Sequence, residues 1–256
     1  MSRLSVLLVL TLVLLIELPL SVHGATYSIP VNGRWANSNI TLAIPPTPEW
    51  AHDVMVNASL VWNRAQVWFQ DNFASFDNAY SFIESEAGNV SVSFTMPPKY
   101  GCVAVGWTEY VFAPSSTTIL AAHIYLDQVA FNSTQENNVT ARQYAFRLAL
   151  HELGRVLGLG SVLDPRDIMN PLATPSRAAD PPMLSTLDLF AVHVLASRTS
   201  LPSSFIQLNT DQYQLVDARI FLNNVNEHGA STTNQPSSAS VTLCEIRVPR
   251  FIVCRW

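Results

Sequence analysis

Positive charge is scarce in this sequence. Lysine occurs once in 256 residues, at Lys99, and charged residues make up 13% of the chain, with a net charge of -5. Proteins that bind nucleic acid through its phosphates need clustered lysine and arginine side chains. The sequence contains no such cluster, so we exclude nucleic acid as a partner.

Three glycine-rich motifs are also missing. The sequence has no G-x-S-x-G, no Walker A motif and no G-x-G-x-x-G. The nucleophile turn of many serine hydrolases, the phosphate loop of nucleotide hydrolases and the dinucleotide-binding turn each depend on one of them. Any chemistry must therefore come from another pattern.

Cysteine is limited to three residues, which cannot all pair within one chain. Cys244 and Cys254 lie in two β-prone runs that flank a turn centred on Pro249. We predict a disulfide between them, in an oxidising compartment. Cys102 would then be a small buried residue or a free thiol, and the histidines do not have zinc-finger spacing relative to these cysteines.

The N-terminus has the pattern of a secretory signal. One early arginine precedes an apolar run that ends at Ile16, and small residues follow around Gly24. Glu17 interrupts the run before it reaches the roughly 20 apolar residues of a membrane span. We therefore expect residues 1–24 to be removed, leaving a secreted, extracellular protein without a membrane partner.

Sequons for N-glycosylation are frequent in the first 140 residues. They begin at Asn39, Asn57, Asn89, Asn132 and Asn138. This pattern favours an exported glycoprotein, and a composition rich in Asn, Ser and Thr is the alternative explanation.

Strand-like and helix-like segments are interleaved along the chain. Five β-prone segments predict strands, and they cover residues 39–46, 80–85, 89–96, 102–112 and 117–127. With three helical segments the order is β-α-β-β-β-β-α-α. We predict a single α+β or α/β domain over residues 25–200, with helices packed on a mixed sheet.

The first predicted helix is long, and its apolar stripe is expected to face the core. The second should begin near Thr140, a possible N-cap, and end at Gly160 in a left-handed conformation. The third covers residues 185–198 and is capped by Ser185 or Thr186. The stripe of the first helix consists of Val54, Ala58, Val61, Ala65 and Trp68.

The composition changes near residue 200. A strand-like segment spans residues 205–225, a polar low-complexity loop follows over residues 226–240, and the cysteine hairpin closes the chain. We predict a small β-rich C-terminal appendage over residues 201–256.

The segment from His151 to Pro171 contains the candidate metal-binding and catalytic residues, and it reads HELGRVLGLGSVLDPRDIMNP. In an H-E-x-x-H helix, two histidines four residues apart lie on one face and can both bind one zinc ion. The glutamate then lies beside the metal-bound water. A glycine ends the helix, a third histidine completes the ligand set, and a methionine-containing turn lies beneath the site.

This segment resembles the matrixin branch of the metzincin zinc proteases, whose comparable run is HELGHxLGLxHS followed by an I-M-x-P turn. The order of elements from about Ile40 to Ser197 is also similar to that of a matrixin catalytic domain. The matching residues are His151, Glu152, Leu153, Gly154, Leu157, Gly158, Leu159, Met169 and Pro171.

The resemblance implies a mixed twisted sheet with long helices and a Met turn at Met169. It also implies that His151 is a zinc ligand and that Glu152 is a general base. By the same resemblance, an extended peptide or protein would lie along an edge strand near Val103–Tyr110, adding its backbone to the sheet.

Two ligand positions depart from the family pattern, because Arg155 and Ser161 stand where it has histidines. A zinc site needs three or four protein donors, so a zinc held by His151 alone would be weak or absent. Arg155 cannot deprotonate, and its guanidinium would lie near the position that the zinc ion occupies in the family. It also follows Glu152 by three residues, which predicts a helical ion pair between them.

Other side chains offer only partial replacements. Asp164 and Asp167 follow Ser161 closely, and either could swing in as a substitute ligand. His123 on the last strand of the sheet and His193 on the final helix are expected to be satisfied core residues rather than ligands.

Three functions remain open. The first is a secreted pseudoprotease that binds a peptide or protein. The second is an active zinc metalloendopeptidase with a non-standard metal site and Glu152 as general base. The third is a structural surface glycoprotein in which the cleft has no role.

Overall fold

A computed structural model describes residues 26–73, 78–97, 105–131, 135–171, 180–198 and 204–223. The predicted signal peptide lies outside these ranges, and so does Asn132. The predicted disulfide between Cys244 and Cys254, and Cys102, lie outside them as well. Signal cleavage and the disulfide therefore stay predictions.

The described chain alternates strands and helices. The strands are β1 (Thr26–Pro30), β2 (Arg34–Trp35), β3 (Asn39–Ala43), β4 (Ser81–Glu84), β5 (Val90–Ser93), β6 (Gly106–Phe112), β7 (Thr118–Leu126), β8 (Met183–Ser185), β9 (Phe205–Asn209) and β10 (Leu215–Asp217). The helices are α1 (Glu49–Phe73), α2 (Gln128–Phe131), α3 (Val139–Val156), α4 (Thr186–Ser197) and α5 (Ile220–Asn223).

The largest sheet is mainly parallel, with the order β4, β3, β5, β7, β6. The short strand β2 runs parallel to the start of β7. Strand β6 is antiparallel to β7, with Glu109 opposite His123. Within the described residues no further strand pairs with the outer side of β6, so β6 is an edge. The predicted mixed sheet with helices is confirmed at this level.

Helices α1 and α3 pack against each other in the core. The predicted stripe of α1 is buried except for Trp68, which is half-buried. Trp62 joins the helices, since its Nε1 donates a hydrogen bond to the carbonyl oxygen of Leu150 at 2.9 Å. Burial of a large apolar side chain stabilises the fold by about 1.5 to 3 kcal/mol. This packing holds α3 in place beneath the sheet.

The ends of α3 differ from the prediction. Its N-cap is Asn138 rather than Thr140, because the Asn138 side chain accepts the backbone N–H of Ala141 at 3.1 Å. At the other end, Gly158 rather than Gly160 has the left-handed conformation, with φ +93°. The N–H of Gly158 donates to Arg155 O and that of Leu159 to Gly154 O, which is a Schellman motif.

Gly158 is required for a second reason. A Cβ atom there would collide with the carbonyl oxygen of Gly33, in the turn before β2. Asn32 N donates to Gly158 O at 2.8 Å, so the end of α3 is tied to the N-terminal part of the chain. The sequence analysis assigned the left-handed conformation to Gly160, and this tertiary contact explains why Gly158 adopts it instead.

Helix α4 begins with a capping box. The Ser185 hydroxyl accepts the N–H of Asp188, and the Asp188 carboxylate accepts the N–H of Ser185, each at 3.1 Å. The prediction of Ser185 as a cap is confirmed, and the acidic partner explains why Ser185 rather than Thr186 occupies the position.

Residues 204–223 are not separate from the main body. β9 pairs antiparallel with β1, placing Ile206 opposite Ile29, and β10 pairs antiparallel with β8. The predicted boundary near residue 200 stays a prediction, because residues 224–256 lie outside the described ranges. Within those ranges, residues 204–223 pair with strands that precede this boundary, at a sequence separation that local composition does not reveal.

The described sequons are accessible to different degrees. Asn39, Asn57 and Asn138 are exposed. Asn89 is half-buried, and its side-chain oxygen accepts a hydrogen bond from Thr41 N at 2.8 Å. Glycosylation stays a prediction. None of the helices in the described part of the chain combines the length and the apolar character that a membrane crossing requires.

Candidate functional site

The motif residues lie on the last turns of α3, beneath β6. Alternate residues of β6 point toward this helix. The Thr108 hydroxyl donates a hydrogen bond to Oε2 of Glu152 at 2.6 Å, and the Tyr110 hydroxyl donates to the carbonyl oxygen of Arg155. The edge strand and the motif helix are therefore joined by two side chains that span the space between them.

Glu152 is buried, with a relative exposure of 4%. Its carboxylate lies close to the start of β6, because a Cβ atom on Gly106 would come within 2.5 Å of Glu152 Oε1. Only a glycine leaves room for the carboxylate at this point. The predicted general base is thus held against the strand by Thr108 and shielded from bulk water.

His151 is half-buried and contacts the loop that contains Met169. Its Nδ1 lies 2.7 Å from the carbonyl oxygen of Ile168, so this nitrogen carries the proton and donates it. The other ring nitrogen, Nε2, is then the one able to bind a cation or accept a hydrogen bond. His151 supplies one donor with a fixed ring orientation.

Met169 lies directly beneath α3. A Cβ atom on Gly154 would collide with the sulfur of Met169 and approach Trp62 Cζ2 to 2.9 Å. Met169 is fully buried. The turn around it is closed by a hydrogen bond from Val162 N to Met169 O at 3.1 Å. The predicted Met turn therefore packs under the motif through the small residue Gly154.

The predicted ion pair between Glu152 and Arg155 does not form. Arg155 is half-buried, and no carboxylate of the described residues lies within 4.0 Å of its guanidinium. The reason is that the carboxylate of Glu152 points toward Gly106 and Thr108, whereas Arg155 lies about one turn further along, beside Tyr110. Sequence spacing allowed the pair, but a tertiary hydrogen bond prevents it.

The charge of Arg155 influences the pKa of the neighbouring Tyr110. Burial raises the pKa of Tyr110 to about 12, and the positive charge of Arg155 works against this rise. Tyr110 therefore stays protonated at neutral pH and serves as a hydrogen-bond donor. Its hydroxyl holds the last turn of α3 in position under the edge strand.

Ser161 lies in the segment that follows α3. This segment is fastened to the N-terminal part of the chain, since Gly160 N donates to Pro30 O at 2.7 Å. Ser161 is half-buried, and no hydrogen bond in the described structure joins it to His151 or Arg155. Its hydroxyl does not replace the missing histidine.

The two candidate substitute ligands are engaged elsewhere. Asp164 accepts hydrogen bonds from Arg166 Nη2 at 2.9 Å and from the Tyr213 hydroxyl at 3.3 Å. Burial alone would raise its pKa, but the bonds from Arg166 outweigh burial and lower it. Asp167 is buried and accepts the N–H of Met169 at 2.7 Å. Both carboxylates support the Met loop.

A buried polar network that the sequence did not reveal lies beside this loop. Asp167 and Asp188 are almost completely buried, and the Tyr213 hydroxyl donates to Asp167 at 3.2 Å. Burial raises the pKa of both carboxyl groups, and the charge of Asp167 raises that of Asp188 further. The capping-box spacing from Ser185 to Asp188 was the one available signal, while Tyr213 comes from a distant segment.

The donor set does not fit zinc. Among the described residues, no group of three or more His, Cys, Asp or Glu side chains is arranged to hold a metal ion. His151 offers a single nitrogen, Glu152 is bonded to Thr108, and Arg155 brings a positive charge. Weak or absent zinc binding stays a prediction that metal analysis of the purified protein tests.

His193 and His123, which the sequence predicts to be core residues, lie away from the motif residues that the structure describes. His193 is fully buried, and its ring nitrogens lie 3.0 Å from Asn78 O and 3.2 Å from Gln66 O, as expected for a satisfied core residue. His123 is half-buried on the opposite face of the sheet from α3, with Nδ1 2.5 Å from the Ser91 hydroxyl. Neither reaches the motif helix.

Comparison with known proteins adds little to this geometry. No family model matches the chain, and no curated protein matches it. One solved structure that aligns with it is titled "GM1 bound form of the ECX AB5 holotoxin". It is 13% identical, covers 69% of this chain and 91% of that chain, and has a TM-score of 0.36. A likeness at this level carries no argument about function.

Proposed function

We propose that the protein is a secreted peptide-binding protein built on a matrixin-like scaffold that no longer holds a catalytic zinc. One observation carries the proposal. The antiparallel strand β6 has an outer edge that is unpaired within the described structure, and it lies beside the helix on which Arg155 replaces a metal-binding histidine. The expected element order, from β3 through α4, and the position of Met169 under α3 support the matrixin-like scaffold.

Binding would proceed by strand addition. An extended segment of the partner donates and accepts backbone hydrogen bonds along the free edge of β6, and its alternate side chains face α3. Thr108 and Tyr110 keep β6 at a constant distance from the helix, so the edge is rigid before the partner arrives. A rigid edge reduces the conformational entropy lost on binding.

The first experiment measures metal and proteolysis in the purified secreted protein. We expect well below one equivalent of zinc at neutral pH and no hydrolysis of a denatured protein substrate. Stoichiometric, tightly bound zinc together with chelator-sensitive proteolysis that is lost in Glu152→Ala would instead establish the active metalloendopeptidase.

A second experiment restores the family ligands. In Arg155→His combined with Ser161→His, the helix and the Met turn should present three histidines, and the variant should gain zinc. Single Arg155→His is the matched control and should gain much less. A folded double variant that binds no zinc would count against a matrixin-like arrangement of this region.

A further inference from the structure

The guanidinium of Arg155 is half-buried and has no counterion among the described residues. No described carboxylate lies within 4.0 Å of it, and the hydrogen bond that involves Arg155 and β6 uses its backbone carbonyl oxygen. A half-buried charge has lost part of its hydration, and no described carboxylate compensates Arg155 for that loss. An anionic ligand would supply the missing interaction.

The surroundings of Arg155 select the kind of anion. The buried carboxylate of Glu152 lies on the same helix, about one turn away, and is bonded to Thr108. A single guanidinium supplies one positive charge, and the negative charge of Glu152 nearby disfavours the second negative charge that a dianion such as phosphate would bring. A carboxylate matches both the single charge and the planar fork of the guanidinium, which can donate two parallel hydrogen bonds to it.

We infer that the region between β6 and the last turn of α3 recognises a carboxylate of the bound peptide, with Arg155 as the residue that binds it. The inference rests on the proposed function, because the peptide must first lie along β6 for its carboxylate to reach the helix. The carboxylate can be the α-carboxylate of a peptide C-terminus or the side chain of an acidic residue. Both sources have the same chemistry, and the experiment separates them.

The test uses the full chain, immobilised, and three pools of random octapeptides. The first pool lacks Asp and Glu and has a free C-terminal carboxylate. The second is identical but ends in an amide. The third ends in an amide and contains one Glu. Retained peptides are identified by mass spectrometry, and their dissociation constants are measured by fluorescence anisotropy.

We expect the wild-type protein to retain the free-carboxylate pool, the Glu pool or both at least 10-fold better than the neutral amide pool. Loss of a charge-assisted pair weakens binding by about 10- to 100-fold, so Arg155→Met should remove this preference. Arg155→Lys should keep part of it, because the charge remains but the fork is lost. Arg142→Met, an exposed arginine on the same helix, should keep all of it.

Two negative outcomes have different meanings. If the wild-type protein retains all three pools equally, or if folded Arg155→Met keeps the preference, carboxylate recognition by Arg155 is wrong while peptide binding stands. If no pool is retained by any variant, the proposed peptide-binding function fails, and the inference fails with it. Thermal melts of each variant confirm that a loss of binding is not a loss of folding.

Discussion

The contact between β6 and α3 and the loop around Met169 differ in how their polar groups are satisfied. At the contact, Glu152 has one hydroxyl donor and the guanidinium of Arg155 has no described carboxylate partner. Around the Met loop, Asp167 accepts hydrogen bonds from two groups, and Asp188 caps a helix. Unpaired charge is thus concentrated where the motif departs from the family pattern.

The difference indicates a division of roles. Hydrogen-bonded buried groups rigidify a structure and are costly to remove, whereas a charged group without a described partner adds no pairing energy and is available for a ligand. We therefore expect substitutions around the Met loop to change stability and substitutions of Arg155 to change binding. Four predictions test this comparison.

The largest effect is expected for Met169→Ala. Met169 is fully buried against Gly154 and Trp62, so removing its side chain should lower the free energy of unfolding by about 2 to 5 kcal/mol. Chemical denaturation measures this value. Leu163→Ala, at a neighbouring exposed position, is the control and should stay within about 0.5 kcal/mol of the wild type. Equal effects at the two positions would contradict the packing of the Met turn.

The second prediction concerns pH. The pKa of Asp188 is raised above 3.8 in the folded state, chiefly by burial, so its neutral form is favoured. The resulting stabilisation is fully present below the unfolded pKa and is lost as pH rises through the folded pKa, at about 1.4 kcal/mol per pKa unit.

Asp188→Asn should therefore gain stability relative to the wild type as pH rises above about 4. Denaturation with urea between pH 4 and pH 8 measures the difference. Asp164, whose pKa is lowered, acts in a separate window, since its contribution is lost only as pH falls below 3.8. A difference between wild type and Asp188→Asn that does not change with pH would show that this carboxyl group titrates normally.

A smaller effect is expected for Thr108→Val, which keeps the shape of the side chain and removes the donor to Glu152. Leaving this buried carboxylate without its hydroxyl partner should cost about 1 to 3 kcal/mol. Thr117→Val, in the exposed turn before β7, is the matched control. If both variants unfold at the same denaturant concentration, Thr108 does not hold the carboxylate of Glu152.

The smallest effect on stability is expected for Arg155→Met. Because this guanidinium has no described carboxylate partner, the free energy of unfolding should change by no more than about 0.5 kcal/mol. Arg166→Met, which removes the partner of the buried Asp164, should cost more, about 1 kcal/mol after allowance for the exposure of Arg166. A large loss of stability in Arg155→Met would mean that Arg155 is structural.

Much of the architecture could be predicted because it follows from local patterns of apolar and polar residues in the sequence. The alternation in the strand segments 39–46 and 89–96 and the apolar stripe of α1 each arise from burying one face of an element. The cap at Ser185 was recognisable for the same reason, since its partner Asp188 is three residues away. Local signals of this kind do not depend on the rest of the chain.

Other features depended on contacts between distant segments. The left-handed glycine is Gly158 because Gly33 approaches it, and the pairing of β9 with β1 extends the main body past residue 200. Tyr213 reaches Asp167 from 46 residues away. No periodicity or spacing in the sequence indicates such approaches, because they result from how the elements pack.

The motif illustrates both kinds of information. The sequence by itself determined that His151 is the only histidine between residues 151 and 171, and that Arg155 and Ser161 stand where the matrixin pattern has histidines, because residue identity does not depend on the fold. It also allowed an ion pair between Arg155 and Glu152, three residues apart. The tertiary structure decided against that pair, because the hydroxyl of Thr108 on the adjacent strand binds the carboxylate of Glu152 and leaves the guanidinium of Arg155 without a described carboxylate partner.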